Sequence, residues 1–210
     1  MTSPAAVAVV PAPSDTLAID FANTCYWRGS ETPTETLTTP PALLDWVATT
    51  ALTPPETLAS LRAAWTEQPG EAADGLRQAL AWREAIARTL TAAAAGKTPA
   101  ASDVALLNDG LARAPARQRL RQSPDGRGWE VPPAPATLAT LLAPVLWSAG
   151  DLLAGPRLAA VRTCANPACR FLFLDDSKAG NRRWCSMAAC GNRAKAHRHY
   201  QRRKAVPPSA

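Results

Sequence analysis

The sequence predicts a mainly α-helical N-terminal body with short β elements, followed by a small C-terminal module rich in cysteine and basic residues. Apolar residues recur at helical spacing through much of residues 40–154, with proline and glycine between the periodic runs. Four of the five cysteines fall within residues 164–190. With 210 residues, 47% of them hydrophobic, the chain suffices for one ordinary domain and a small appendage.

Five helices are predicted in the body, each delimited by residues that start or stop helices. Proline suits a first helical turn because no backbone donor is needed there, and glycine suits the residue after the last turn. One predicted helix begins at Pro40, and a second runs from Pro54 to a stop at Pro69-Gly70. A third extends from Asp74 to about Ala95, and a fourth starts at a Ser102-Asp103 cap and reaches Leu111. The fifth covers ATLATLLAPVLWSAGDLLAG, with a kink at Pro144. Gly155-Pro156 then interrupts the chain.

Two β elements and a frayed N-terminus complete the predicted body. Alternating Leu17, Ile19 and Phe21 predict a strand or extended segment over residues 16–24. The run RLRQSPDGRGWEV, residues 119–131, predicts a β-hairpin with Asp125-Gly126 in its turn. The first residues, MTSPAAVAVVPAPS, lack the basic start and long apolar core of a signal peptide, so we expect them to be frayed.

No membrane-spanning segment is predicted. The longest apolar region, residues 137–161, is interrupted by Pro144, Asp151 and Pro156, whereas a spanning helix needs about 18 uninterrupted apolar residues. Without an export signal the expected compartment is the cytoplasm, where thiols stay reduced.

Positive charge is concentrated at the C-terminal end. The formal net charge is +6, but residues from 161 onward carry eleven Lys and Arg against Asp175 and Asp176, a net charge of +9. Residues 1–160 therefore have a net charge of −3. Such a division indicates an acidic partner for the basic end. The body contains no recognisable catalytic motif, and no enzymatic activity is predicted.

The four C-terminal cysteines have the spacing of a structural zinc site. Cys164 and Cys169 form one C-x4-C pair, and Cys185 and Cys190 form a second pair after fifteen intervening residues. Each short loop brings two thiolates to one side of a tetrahedron, which predicts one structural Zn²⁺. The alternatives are disulfides, an iron–sulfur cluster and unliganded thiols; a reducing compartment disfavours the first and the spacing disfavours the second. Cys25 stands apart and is expected to be a small buried residue.

Local sequence around these cysteines predicts a treble-clef-like zinc finger, made of a knuckle, a β-hairpin and a helix. Asn166-Pro167 provides the turn of the first knuckle, and residues 171–174 and 182–184 predict the two hairpin strands. Ser186 can cap the helix that follows, which places Cys190 in or near the first turn. With so small a core, this segment is expected to be unfolded without zinc.

The run WCSMAACGNRAK, preceded by C-x4-C and FLFLDDSKAGNRR, resembles the CGNR zinc finger, which is named for residues 190–193. The body resembles the ABATE domain through LAIDFANT and LLAPVLWSAGDLL. The resemblance implies a bacterial, stress-related transcription regulator, and it carries the zinc positions onto the four cysteines. We expect an ABATE-like domain at 1–157, a CGNR-type finger at 158–204 and a disordered tail at 205–210.

The helix after Cys190 carries most of the candidate nucleic-acid contacts. Its basic residues spread around the circumference, which suits a helix lying in a groove and equally a freely solvated end. The candidates are Arg193, Lys195, Arg198 and Arg202 on the helix, with Arg182 and Arg183 on the predicted returning strand. Arg193 is the first choice, since it belongs to the family signature; the alternative is that it packs across Trp184.

A DNA-binding transcription regulator is the predicted function, with the body as a sensing or dimerising domain. DNA is the expected partner, together with a second copy of the chain and an unidentified small-molecule effector. The alternative is a zinc adaptor module that binds RNA or protein. RNA recognition tends to use exposed aromatic residues for stacking. The finger has few aromatic residues beyond those that its own core needs.

Overall fold

The computed structural model describes residues 8–123 and 126–196. Within them the body is built from helices α1 to α7: Leu17–Ala22, Pro40–Thr50, Pro55–Glu67, Pro69–Ala94, Ala101–Arg113, Leu138–Leu141 and Ala143–Ala154. A 3-10 helix, Pro156–Ala160, follows α7. Strands β1 to β7 are Ala8–Pro11, Cys25–Tyr26, Thr34–Glu35, Arg119–Ser123, Gly126–Val131, Val161–Thr163 and Leu172–Leu174. A π-helical turn, Met187–Gly191, continues into α-helical residues 192–196, and together they are called the finger helix.

The long helix α4 forms the centre of the body. Its side chains at 79, 82, 86 and 90 are spaced three or four residues apart, so they lie on one face, and all are buried. Helices α1, α2, α3 and α5 pack against it. The predicted stop at Pro69-Gly70 is confirmed, because α3 ends at Glu67. The predicted start of the next helix at Asp74 is wrong, because α4 begins at Pro69. A proline in a first turn lacks only a donor that has no intrahelical partner there, so it starts a helix as readily as it ends one.

Residues 17–22 form a helix, which corrects the predicted strand over residues 16–24. The alternation of Leu17, Ile19 and Phe21 is misleading, because Ala18 and Ala22 between and after them are buried as well. A short segment that is apolar on nearly every side has no clear period of two or 3.6. Burial between α7 and α4 therefore decides its conformation.

The predicted hairpin at 119–131 is confirmed as β4 and β5, which pair antiparallel in a sheet of order β1-β5-β4. Residues 124–125 of its turn lie outside the described residues. The expectation of a frayed start is wrong for residues 8–11, which pair with β5 along their whole length. Val10 is buried against Val131 and Trp147, and this apolar contact holds the strand in place.

The predicted kink at Pro144 is confirmed and separates α6 from α7. Pro144 lies in the first turn of α7, where its missing donor is not needed. Helix α7 is buried along most of its length and ends at Ala154, with Gly155 as its cap. The 3-10 helix then leads directly into β6, which is the first strand of the finger. No helix among the described residues is long and apolar enough to cross a membrane.

The finger hairpin pairs β6 with β7, and the first cysteine knuckle forms its loop. This corrects the prediction that residues 182–184 supply the second strand. Those residues lie beside the first knuckle instead, where the Ala165 amide donates to the Arg183 carbonyl over 2.8 Å. Residues 161–163 form the strand that pairs with β7, because Val161 is fully buried in the core of the body.

The finger hairpin has one face in each of two apolar clusters. Val161, Leu172 and Leu174 belong to the main core of the body, whereas Phe173 packs with the cysteines. This follows from the strand period of two, because directly paired residues share a face and successive residues alternate. The finger hairpin therefore packs into the apolar core of the body.

Candidate metal centre and nucleic-acid interface

The four C-terminal cysteines converge at one point of the structure. The Sγ atoms of Cys164, Cys169, Cys185 and Cys190 all lie within 4.8 Å of one another. The Cys169–Cys185 Sγ separation is 3.7 Å and the Cys185–Cys190 separation is 3.9 Å. Four sulfurs at about 2.3 Å from a tetrahedral Zn²⁺ stand about 3.8 Å apart. The cluster therefore fits one zinc ion bound by four thiolates, with no position left for a substrate or water.

The first knuckle is shaped by Asn166, as the sequence predicts. Its side-chain Oδ1 accepts a hydrogen bond from the Ala168 amide over 3.1 Å, and its carbonyl accepts from the Cys169 amide over 3.0 Å. Its Nδ2 lies 3.5 Å from the Cys190 sulfur and donates toward it. An N–H group directed at a metal-binding sulfur stabilises the thiolate form, so Asn166 links both halves of the site.

The second knuckle leads into the finger helix through Ser186. Its Oγ accepts from the Ala189 amide over 3.3 Å, which confirms the predicted cap. The Ser186 carbonyl accepts from the amides of Cys190 and Gly191, at 3.1 and 3.0 Å. Cys190 therefore lies in the first turn of the finger helix. A Cβ atom at Gly191 would lie 2.7 Å from the Met187 sulfur, so glycine allows the turn to close against that side chain.

Arg182 supports the second knuckle from outside. Its guanidinium lies over the Phe173 ring, 4.6 Å from the centroid, and donates hydrogen bonds to the carbonyls of Trp184 and Cys185. The charge of Arg182 remains at the surface, but two of its donors stabilise the finger itself.

Burial governs the acid–base behaviour of the cysteine cluster. It raises the pKa of the Cys169 thiol to about 11 and raises the pKa of the Cys185 thiol as well. Burial acts in the same direction at Cys164, but backbone hydrogen bonds from Cys185 and Asn166 outweigh it and leave the pKa lowered. Four neighbouring thiolates repel one another in such a site, and a divalent cation is the charge that would hold them together.

Comparison with known protein families agrees with this geometry. Residues 15–156 match the ABATE family model, described as "putative stress-induced transcription regulator", and residues 160–203 match the CGNR zinc finger model. The chain belongs to the ABATE family. In this member the CGNR finger has four cysteines close enough together to bind one zinc ion. Neither family is an enzyme family. A search of curated proteins finds no match.

Two arginines of the finger lie against tryptophan rings. The guanidinium carbon of Arg193 is 5.0 Å from the centroid of the Trp27 ring, and that of Arg183 is 5.4 Å from the Trp184 ring. The alternative in which Arg193 packs across Trp184 is wrong, because its guanidinium lies over a tryptophan of the body. Its predicted contact with nucleic acid stays a prediction. At these distances each guanidinium makes a cation–π contact with the ring, and its five N–H donors remain the groups that could bind a phosphate or a base.

An open cavity of about 450 Å³ lies between these two arginines. It is bordered by the first knuckle, by Trp184 and Cys190, and by the start of the finger helix. Lys195 is exposed on the same helix. The remaining predicted contacts, Arg198 and Arg202, lie outside the described residues.

Trp27 is a site residue that the sequence analysis missed. It belongs to a segment that follows α1 and packs with Phe171 and Trp184 around the cysteines. Its backbone is left-handed, with φ of 55°, a conformation that few bulky residues adopt. Neither helical nor strand periodicity applies to such a residue. The family motif LAIDFANT, which ends three residues earlier, is the only nearby signal.

The motif asparagine Asn23 attaches the body to the finger. Its Nδ2 donates to the Leu172 carbonyl over 2.9 Å, and its Oδ1 accepts from the Leu172 amide over 3.1 Å. A few residues later the Gly29 amide donates to the Ala168 carbonyl over 3.1 Å. A Cβ at residue 29 would overlap the Pro167 carbonyl oxygen, so only glycine permits this approach.

A cluster of ionisable residues in the body has the contacts of a structural network. Arg83 is 3% exposed and donates to both carboxylate oxygens of Glu35 over 2.6 Å, and Arg28 contacts Glu84 over 2.5 Å. Arg83 also pairs with Glu84. The charges of the cluster are thus matched within it, as buried charges require.

Proposed function

We propose that this protein is a DNA-binding transcription regulator whose zinc finger presents a basic surface to the phosphate backbone. The observation that supports it best is the uncompensated charge beside the cysteine cluster. Arg183, Arg193 and Lys195 are exposed, and among residues 8–123 and 126–196 no carboxylate forms an ion pair with them. Exposed cations of this kind bind phosphates and release the condensed counterions of DNA.

The proposed role of zinc is structural. Bound by Cys164, Cys169, Cys185 and Cys190, it would fix the two knuckles and set the direction of the finger helix. The cation would also offset the repulsion among four thiolates. No chemical step at the metal is required, since all four positions are taken by protein sulfur.

Arg193 is the proposed principal contact to DNA. Stacking on Trp27 restricts its side chain, which lowers the conformational entropy lost when it binds. The edge of the Arg193 guanidinium can then donate two hydrogen bonds to one phosphate or to the O6 and N7 atoms of guanine. Arg183 on the opposite side of the cavity would contact a second phosphate, and Lys195, Arg198 and Arg202 would extend the contact along the helix.

The body is proposed to act as the sensing or dimerising domain of a cytoplasmic regulator. Its attachment to the finger through Asn23 and Gly29 would convey a change in the body to the basic surface. A homodimer would match the two-fold symmetry of a palindromic DNA site. A zinc adaptor module that binds RNA or protein is the alternative, and the exposed basic surface by itself fits both partners.

Fluorescence anisotropy with labelled duplex DNA tests the proposal. The zinc-loaded full chain is titrated with a fragment from upstream of its own gene and with a scrambled fragment, over a series of salt concentrations. We expect preference for the genomic fragment, and a loss of about three- to ten-fold in affinity for Arg193→Ala with a smaller salt dependence.

Arg119→Ala is the matched control, because Arg119 is an exposed arginine of the body far along the chain from the finger. Its affinity should equal that of the unchanged protein. Equal affinity for both fragments, or equal losses of affinity in the two variants, would show that the finger acts only as a generic basic surface. An absence of binding at low salt would exclude DNA as the direct partner and favour RNA or protein.

A further inference from the structure

We propose that a cavity between α4, α5 and α7 binds a small amphipathic carboxylate, with its apolar part inside and its carboxylate at Lys97. The cavity has a volume of about 600 Å³ and is open to the surface, and its lining includes Gly96, Lys97 and Pro99 of the loop after α4. Much of its wall consists of leucine side chains from α5, α7 and the 3-10 helix: Leu107, Leu111, Leu146, Leu153 and Leu158. Its size and lining are those of small-molecule sites in proteins.

Small residues create this space. Ala93 on α4 and Ala149, Gly150 and Ala154 on α7 line the cavity where larger side chains would fill it. A Cβ atom at Gly150 would meet only the Leu111 side chain, at 3.5 and 3.7 Å, which is ordinary contact. The glycine is therefore not required by close packing of the helices. Its absent side chain contributes to the open volume.

The apolar lining is incompletely covered by the protein itself. Val104 on α5 is 40% exposed, and Leu111 and Leu153 are half-buried. A ligand with an apolar chain or ring would remove this surface from water, which is the main source of affinity for such sites.

Among the described residues that line the cavity, Lys97 is the only cation. Helix α4 ends at Ala94, Gly96 then turns the chain with a φ of 65°, and the next residue is Lys97. Lys97 is exposed, and no carboxylate of the described residues forms an ion pair with it. Asn108 lines the same cavity and can donate a hydrogen bond. A lysine and an amide near an otherwise apolar cavity complement a carboxylate on an apolar body.

The cavity adjoins the segment that leads into the finger. Leu158 lies in the 3-10 helix three residues before β6, and β6 ends next to Cys164. An occupant would therefore contact the connection between α7 and the first knuckle. The ligand class is inferred from the cavity alone, and its regulatory meaning rests on the sensing role proposed for the body.

Isothermal titration calorimetry of the zinc-loaded full chain tests this site with decanoate and decan-1-ol as probes. These probes share an apolar chain and differ in the charge of the head group. We expect decanoate to bind with a Kd below about 1 mM and at least about three-fold more tightly than the alcohol. Lys97→Gln should remove that preference, whereas Lys178→Gln in the finger should retain it.

Substitutions at Gly150 locate the bound probe. Gly150→Leu fills the cavity, and displacing two methylene groups of the probe should weaken decanoate binding about ten-fold. Gly150→Ala is the control, because it makes the same helix-favouring change and leaves most of the volume open. Decanoate binding that is absent, that equals binding of the alcohol, or that is unaffected by Gly150→Leu would overturn the proposal. Since no nucleic acid is present, failure here would leave the proposal of DNA binding intact.

Discussion

At the scale of single residues, the CGNR signature divides into distinct physical roles. Cys190 belongs to the sulfur cluster, and Gly191 lets the first helical turn close against Met187. Asn192 is exposed, and Arg193 extends from the finger to the Trp27 ring of the body. Through the last contact, a residue of the body would influence the nucleic-acid contact proposed for Arg193.

Trp27→Leu tests the stacking of Arg193. Removing the aromatic face should free the guanidinium and weaken DNA binding about three-fold, while one zinc per chain is retained. Anisotropy measures the affinity and atomic emission measures the metal. Trp46→Leu is the control, since Trp46 packs against Phe21 in the body. If Arg193→Ala weakens binding but Trp27→Leu does not, the ring does not orient Arg193.

At the scale of elements, the junction between body and finger depends on close backbone approach. Gly29→Ala should disrupt it, because the added methyl group would overlap the Pro167 carbonyl oxygen and push the first knuckle away. We expect a loss of about 1–3 kcal/mol in the free energy of unfolding, measured with urea. Gly70→Ala has open space around the new methyl group and should not lower the free energy of unfolding. Equal stabilities of the two variants would contradict the close contact.

The zinc finger itself is tested by its cysteines. Cys164→Ser should abolish zinc content and the order of both knuckles, because three thiolates leave an open metal position. Cys25→Ser changes a buried cysteine in the body and should retain one zinc per chain. A full complement of zinc in Cys164→Ser would contradict the assignment.

How far the sequence predicts these elements depends on how local their causes are. The finger cap at Ser186, the turn at Asn166 and the break at Pro144 follow from a few adjacent residues, and all three are confirmed. The partner of β7 could not be predicted, because the choice between 161–163 and 182–184 depends on Val161 entering a core made by distant helices. The stacking of Arg193 on Trp27 is non-local for the same reason.

At the scale of the whole molecule, one core runs from the body into the finger. The hairpin residues Val161, Leu172 and Leu174 are part of the same buried cluster as α4 and α7. Loss of zinc should therefore disorder the knuckles and the finger helix while the β6–β7 hairpin remains attached. The β6–β7 hairpin therefore belongs to the core of the body, and we expect the metal to organise the knuckles and the finger helix.

The buried network around Arg83 predicts how the stability of the whole molecule depends on pH. Burial acts to raise the pKa of Glu35, but its hydrogen bonds with Arg83 outweigh this and hold the pKa below its ordinary value of 4.5. Burial is likewise outweighed at Glu84, where Arg28 and Arg83 lower the pKa. A lowered folded-state pKa means that the stabilisation is fully present above pH 4.5 and is lost as the pH falls through the folded-state values.

Glu35→Gln should remove part of this dependence. The variant should be less stable at neutral pH by about 2 kcal/mol, because Arg83 loses a charged partner, and its free energy of unfolding should fall less steeply in acid. Urea unfolding between pH 3 and 7 measures both quantities, within the range set by the titration of carboxylates. Parallel curves for the two proteins would show that Glu35 does not contribute to the acid dependence.

The most direct test of the central claim is DNA binding by the same protein with and without its metal. We expect the zinc-loaded chain to bind duplex DNA with strong salt dependence, to lose most of its affinity after chelation, and to regain it when Zn²⁺ is restored. That result would mean that the metal organises the basic surface that DNA contacts. Undiminished binding by the chelated, metal-free protein would contradict it, because the basic residues would then act without the finger.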